Sequence, residues 1–239
     1  GRYERRVYKG FFGGLTYLTD LDEEIEDSEK IPTSAIGVDG FYELSRLLIP
    51  YFEYDMLLDF GNGYETGVRG GVSFLDYKLA YRTVGEEFEP TLYDQFYETR
   101  KSNLDLKDSK SYSGYLGQVG LHLFSLVDFQ TRYENYPEKE TEIVTEAGTE
   151  KIKGIETVSG NLNIAEMSFL PGMWSRLQAG ASYKQINVDL NDFEWIDTDN
   201  TSFYGYVVYP ASDSVDLKIE YVKEPGEEKY TTFRTIIRF

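Results

Sequence analysis

The sequence predicts an all-β fold, an up-and-down antiparallel β-barrel of about twelve strands. Two observations carry that prediction. Apolar and polar residues alternate with period two over segment after segment, which gives each strand two unlike faces. The connections between those segments are alternately short and long, as in a meander whose two rims face different surroundings. A third observation removes a competitor: the 239 residues hold no run of about 18 apolar residues, so a helical membrane protein is ruled out.

The first strand is expected over 8–19 and the second over 31–44, separated by the acidic stretch 20–30. Strands over 51–60, 64–74 and 76–85 follow, joined by 45–50, by 61–63 and by a one-residue link near Leu75. Beyond the long connection 86–110 come strands 111–124 and 126–136, with a turn near Ser125. In the second of these, Val127, Phe129, Thr131 and Tyr133 oppose Asp128, Gln130, Arg132 and Glu134. The stretch 137–156 sets Thr141 to Thr145 and Thr149 to Lys153 about Ala147-Gly148, a hairpin signal that makes the flanking strands project beyond the others. Strand 157–169 turns at Pro171-Gly172 into strand 173–188, where Leu177, Ala179, Ala181 and Tyr183 oppose Arg176, Gln178, Ser182 and Lys184. Strands 200–210, 214–223 and 229–239 complete the count, with Val215, Leu217, Ile219 and Tyr221 on one face and Asp216, Lys218 and Glu220 on the other. An even count puts both termini on the short-turn side, and 1–239 reads as a single barrel domain.

Composition excludes whole classes. The chain has 21 Tyr, 15 Phe and 2 Trp, too many aromatics for a disordered tail, and no Cys for a disulfide scaffold or thiolate zinc site. With 42 acids against 24 bases and a net charge of -18, it would repel nucleic acid. The acidity is local: 20–30, 86–110, 137–156, 189–199 and 224–228 hold 28 acids and 8 bases, whereas the rest holds 14 acids and 16 bases. Solvation accounts for the charge of any one loop, but not for the near neutrality of the short turns.

The chain ends Thr231-Thr232-Phe233-Arg234-Thr235-Ile236-Ile237-Arg238-Phe239, an alternating strand closed by an aromatic residue that carries the carboxylate. This resembles the closing strand of bacterial outer-membrane β-barrels, in which a C-terminal Phe is the signal read by the barrel assembly machinery; Phe239 takes that place here. The resemblance covers the architecture of the whole chain and implies a transmembrane barrel in the bacterial outer membrane, with its termini on the periplasmic side. Tyr54, Tyr77, Tyr81, Tyr115, Tyr133, Tyr183, Tyr204, Tyr206 and Tyr221 are candidates for the interfacial girdles, where the ring lies in lipid and the hydroxyl meets water. A soluble sandwich or lipocalin-like barrel shares the alternation. Length argues against it, because about twelve strands enclose more space than side chains alone fill. The start Gly1-Arg2-Tyr3-Glu4-Arg5-Arg6 has no charged-then-apolar leader and suits a domain cut from a longer envelope protein.

If the apolar face meets lipid, the other face lines the lumen. Asp39, Glu43, Glu53, Asp55 and Asp59 would form an acidic wall. Arg69, Lys78, Arg82, Arg132, Arg176, Lys184, Lys218, Arg234 and Arg238 would form a mostly basic one. Facing walls of opposite sign sort polar solutes in water. The competing reading is that these groups pair and fill a narrow lumen. Against filling, Gly37, Gly71, Gly120 and Gly180 would face inward and leave room. The connection 86–110 is a candidate constriction, with Phe88, Tyr93, Phe96 and Tyr97 packed on the inner wall and Glu86, Glu87, Glu89, Asp94 and Glu98 setting the charge.

Together these features predict a channel, or porin, for passive diffusion of small polar or charged solutes. The alternative is a structural anchor barrel with a filled lumen. No enzyme is expected: His122 is the only histidine and falls with Gln118 and Gly120 near the short-turn rim, away from the outer half where a hydrolase of this class would need it. No cofactor is expected either. The carboxylates of 20–27 and 189–199 would supply oxygens for Ca²⁺ or bridge cations to anionic headgroups, but lack the EF-hand arrangement.

Overall fold

The computed structural model describes residues 2–19, 34–90, 109–145, 148–166, 171–188, 200–212, 214–225 and 229–237. The protein is all-β, and its described residues form thirteen strands ordered up and down in one antiparallel sheet. They are β1 (Arg2–Tyr8), β2 (Phe11–Thr19), β3 (Ser34–Tyr42), β4 (Ile49–Leu57), β5 (Asn62–Val72), β6 (Leu75–Val84) and β7 (Tyr112–Leu123). After these come β8 (Val127–Thr145), β9 (Gly148–Ile164), β10 (Gln178–Ile186), β11 (Thr201–Ser212), β12 (Val215–Lys223) and β13 (Tyr230–Ile237). Each strand is hydrogen-bonded to its sequence neighbours. Among the described residues the helical content is one 3-10 turn, Gly172–Arg176, and no helix is long and apolar enough to cross a membrane.

The twelve expected strands are present, and β1 is added ahead of them. Its Tyr3, Arg5 and Val7 alternate with Arg2, Glu4 and Arg6, so a charge on each face hides the period-two signal. Gly10, at φ 73, supplies the left-handed backbone of a two-residue hairpin at Lys9-Gly10. With thirteen strands among the described residues, the expected even count, which puts both termini on the short-turn side, does not hold. The hairpin expected over 137–156 is present, with β8 running through the stretch to Thr145 and β9 from Gly148. Strand 173–188 starts later than expected, because Pro171-Gly172 opens the 3-10 turn and regular pairing begins at Gln178.

The strands divide between two compact units. Unit 1 comprises Gly1–Gly70, Lys78–Leu116 and Tyr136–Lys139; unit 2 comprises Gly71–Tyr77, Gly117–Asn135 and Glu140–Phe239. In unit 1 the alternation is resolved into one apolar face that is exposed, with Leu15, Tyr17, Val38, Phe52, Tyr64, Leu79, Tyr81 and Tyr115, and one polar face that is largely buried. Two apolar clusters lie on the buried face, Leu57 with Val84, Phe88, Tyr112 and Tyr136, and Tyr51 with Ala80 and Leu116. Unit 2 has exposed apolar residues of its own, Val119, Leu123, Phe129, Val207, Leu217, Ile219 and Phe233. So much exposed apolar surface is uncommon in a protein bathed on all sides by water.

Candidate functional site

The polar face of unit 1 is ordered by register. On β3, β4 and β5, Asp39 stands directly opposite Glu53, and Glu53 directly opposite Glu65. Three like charges in a cross-strand row repel one another, so each arrangement of cations beside them matters. Arg2 of β1 reaches across Gly14 to Asp39 at 2.9 Å and also holds Glu4 at 3.0 Å. Gly14 permits that crossing, because a side chain there would occupy the place of the Asp39 carboxylate.

Glu65 is the centre of the network and is only 5% exposed. It takes the Arg82 Nη2 at 2.6 Å, the Lys78 Nζ at 2.5 Å and a hydrogen bond donated by the Tyr51 hydroxyl at 2.5 Å. Arg82 also donates through Nε to Glu65 at 2.8 Å and through Nη1 to the Tyr136 hydroxyl at 3.1 Å. A carboxylate so far from water persists because its lone pairs are filled by charged donors. Tyr136 meets Tyr112 edge-on at 5.0 Å, and Lys139 lies 4.6 Å over the Tyr112 ring.

Phe88, at the start of the long connection, packs into this face beside Leu57, Val84, Tyr112 and Tyr136. Gly63 lies under the ring, where any side chain would collide with it. The backbone fixes this entry: Gly61 donates to the Glu87 carbonyl at 3.2 Å, and Glu87, at φ 57, donates to Ser109. Glu86 and Glu89 are described at the same entry, whereas Tyr93, Asp94, Phe96, Tyr97 and Glu98 lie outside the described residues. The two Ca²⁺-type acidic stretches, 20–27 and 189–199, also lie outside them, as do Arg238 and Phe239.

In unit 2 the polar face carries smaller groups. Gly180, Ser182, Asn161 and Asn163 share it. Lys218 pairs with Glu220 at 2.9 Å and Arg234 with Glu220 at 3.0 Å, while Arg176 stands 3.3 Å from the wholly buried Asp216 and donates to the Ser212 carbonyl. Arg132 donates to Gln118 at 3.0 Å and lies 3.7 Å from Glu134. Lys184 has the same parity as Gly180 and Ser182. His122 is held between Asp76, 2.5 Å from Nε2, and Asp128, 2.6 Å from Nδ1, at the edge of a cavity of about 830 Å³. Its tip, Phe124-Ser125, has both residues in the left-handed region, at φ 53 and 56, and Phe124 is 97% exposed.

Several placements differ from expectation. Tyr204 and Tyr206 are not on the apolar face: Tyr204 donates to Glu220 at 2.7 Å, and Tyr206 donates to Asn163 at 3.2 Å with Lys218 4.9 Å over its ring. Asp59, at φ 66, belongs to the turn after β4, and Glu43 lies just past β3, so neither extends a strand wall. The space over Gly37, Gly120 and Gly180 is taken by the side chains of Asp55, Asp76 and Tyr206. Most of the basic residues have acids beside them on the same face, as the described ion pairs show, so charge is largely balanced between neighbours. Glu65, Asp76 and Glu220 were not singled out by the sequence, although each shares the parity of a base that was: Arg69, Lys78 and Lys218.

Among the described residues, no group of three or more His, Asp or Glu side chains converges on a metal position. No protein-family model matches the chain, and no curated protein matches it. Among solved structures the chain is similar to OprB of Pseudomonas putida in its high-pH structure, with a TM-score of 0.48 and 7% identity over 96% of this chain and 69% of that one.

Proposed function

We propose that the chain is an outer-membrane channel of the porin type, through which small polar or charged solutes pass by diffusion. The observation that carries the reading is the pair of unlike faces kept through the sheet: large apolar side chains exposed on one side, and ion pairs, asparagines and serines on the other. Lipid suits the first face and water the second. The sheet then encloses a lumen, with the acidic connections at the outer mouth favouring cations there and the polar face selecting within. Outer-membrane lipid and the assembly machinery, the latter through the strand ending at Phe239, are its partners. It uses no cofactor and catalyses no reaction.

A second reading, the structural anchor with a filled lumen, is favoured by one observation: Leu57, Val84, Phe88, Tyr112 and Tyr136 pack together on the polar side of unit 1. Single-channel recording of the refolded protein in planar bilayers under a salt gradient separates the two. Steady conductance with a defined reversal potential supports the channel; silence from protein shown to be folded and inserted supports the anchor.

A further inference from the structure

One row on the polar face of unit 1 joins the ion-pair network only through Tyr51. Arg6, Phe12, Phe41 and Tyr51 lie directly opposite one another on β1, β2, β3 and β4. The Phe12 and Phe41 rings stack at 4.8 Å with 8° between their planes, and the Arg6 guanidinium lies 5.9 Å from the Phe12 centroid. Arg69 of β5 covers the other end, 5.0 Å from the Phe41 centroid and 5.5 Å from that of Tyr51. The order is therefore cation, ring, ring, cation.

Neither Arg6 nor Arg69 has a carboxylate or a hydrogen-bond acceptor among the described residues, in a chain with 42 acids and 24 bases. Two of the acids on that face are committed elsewhere, Asp39 to Arg2 and Glu65 to Lys78 and Arg82. An aromatic face attracts the charge of a guanidinium but accepts none of its in-plane N–H bonds. Ring contact thus holds Arg69 without using its N–H donors, and a guanidinium fork has the geometry of a bidentate oxyanion contact.

We propose that Arg69 and Arg6, at opposite ends of this stack, are two oxyanion contacts along the polar face of unit 1, for small solutes that carry a carboxylate or a phosphate. Phe12, Phe41 and Tyr51 position the two guanidiniums, and Arg69, half-buried between two rings, is the stronger contact. The site rests on the channel reading for its access to solute and adds to it a preference for anions inside, opposite in sign to the acidic connections.

The test is titration calorimetry on the full chain refolded in detergent, with citrate and inorganic pyrophosphate as separate probes that distinguish carboxylate from phosphate recognition. Binding of at least one probe is expected. Arg69→Gln should weaken it on the order of tenfold or more, the loss expected for a charge-assisted bidentate contact. Arg69→Lys should restore only part of it, because the charge returns without the fork. Arg6→Gln, on the exposed edge strand where folding is tolerant, should weaken binding severalfold and serves if the Arg69 variants do not fold. Arg5→Gln, the same charge change on the apolar face, should bind as the wild type. No binding of either probe by folded protein, or equal loss in the Arg5 and Arg6 variants, overturns the site. Bilayer recording keeps the two readings apart: binding without conductance sinks the channel and leaves the site. Conductance whose anion-to-cation ratio is the same in Arg69→Gln, with no probe bound, sinks the site and leaves the channel.

Discussion

Glu65 in unit 1 and His122 in unit 2 are each clamped by charged partners on neighbouring strands, yet they stand in different surroundings. Glu65 is 5% exposed beneath Arg82, Lys78 and Tyr51, whereas the His122 side chain is 45% exposed and its partners Asp76 and Asp128 are comparably open. The bonds are equally short. Water decides what they contribute, because the buried carboxylate has no alternative partner and the exposed imidazole has many. The polar faces also differ in what fills them, with rings, arginines and apolar clusters packed in unit 1 and glycine, serine and asparagine in unit 2, although the acids of the Arg176–Asp216 and Lys218–Glu220 pairs there are themselves buried.

Substitutions ranked by size test that contrast. Glu65→Ala should have the largest effect, a loss of about 3–5 kcal/mol, since it strands the buried Arg82 charge and the partly buried Lys78. The urea midpoint of the refolded protein measures it, and a loss below about 1 kcal/mol would contradict the burial argument. Phe88→Ala should cost about 3 kcal/mol by opening a cavity over Gly63 and, in a conducting channel, should raise conductance. Lys218→Met, which removes one of two cations beside the buried Glu220 in unit 2, should cost about 1–2 kcal/mol, less than Glu65→Ala because Arg234 and the Tyr204 hydroxyl still hold Glu220. His122→Gln should leave the urea midpoint where it is; a shift as large as that of Glu65→Ala would erase the distinction between the units.

The strands and their faces were legible because period two is a local property. Val127 to Tyr133 and Val215 to Tyr221 lie on the face their alternation predicts, and Arg69, Lys78 and Arg82 on the other. Register was not legible, since it depends on turns as well as on pattern. Parity alone puts Glu65 on the face of Arg69; only the pairing of Glu53 with Glu65 and the reach of Lys78 and Arg82 make it the centre of a network. Tyr204 and Tyr206 show the other limit. A tyrosine suits an interface or a polar wall equally well, and the Glu220 and Asn163 acceptors that place them on the wall come from strands β12 and β9. β1 is not among the twelve expected strands because Arg5 interrupts its apolar side, and its pairing with β2 establishes it.

The account depends above all on the apolar face lying in lipid and the polar face in water. The chain has no cysteine, so single thiols at adjacent positions of β7 test this directly. Val119→Cys is on the exposed apolar face and Gln118→Cys on the polar face beside Arg132. With both proteins inserted in liposomes, a membrane-impermeant maleimide should label Gln118→Cys and spare Val119→Cys, while a bilayer-soluble maleimide should label Val119→Cys. Ready aqueous labelling of Val119→Cys with protection of Gln118→Cys would contradict the account.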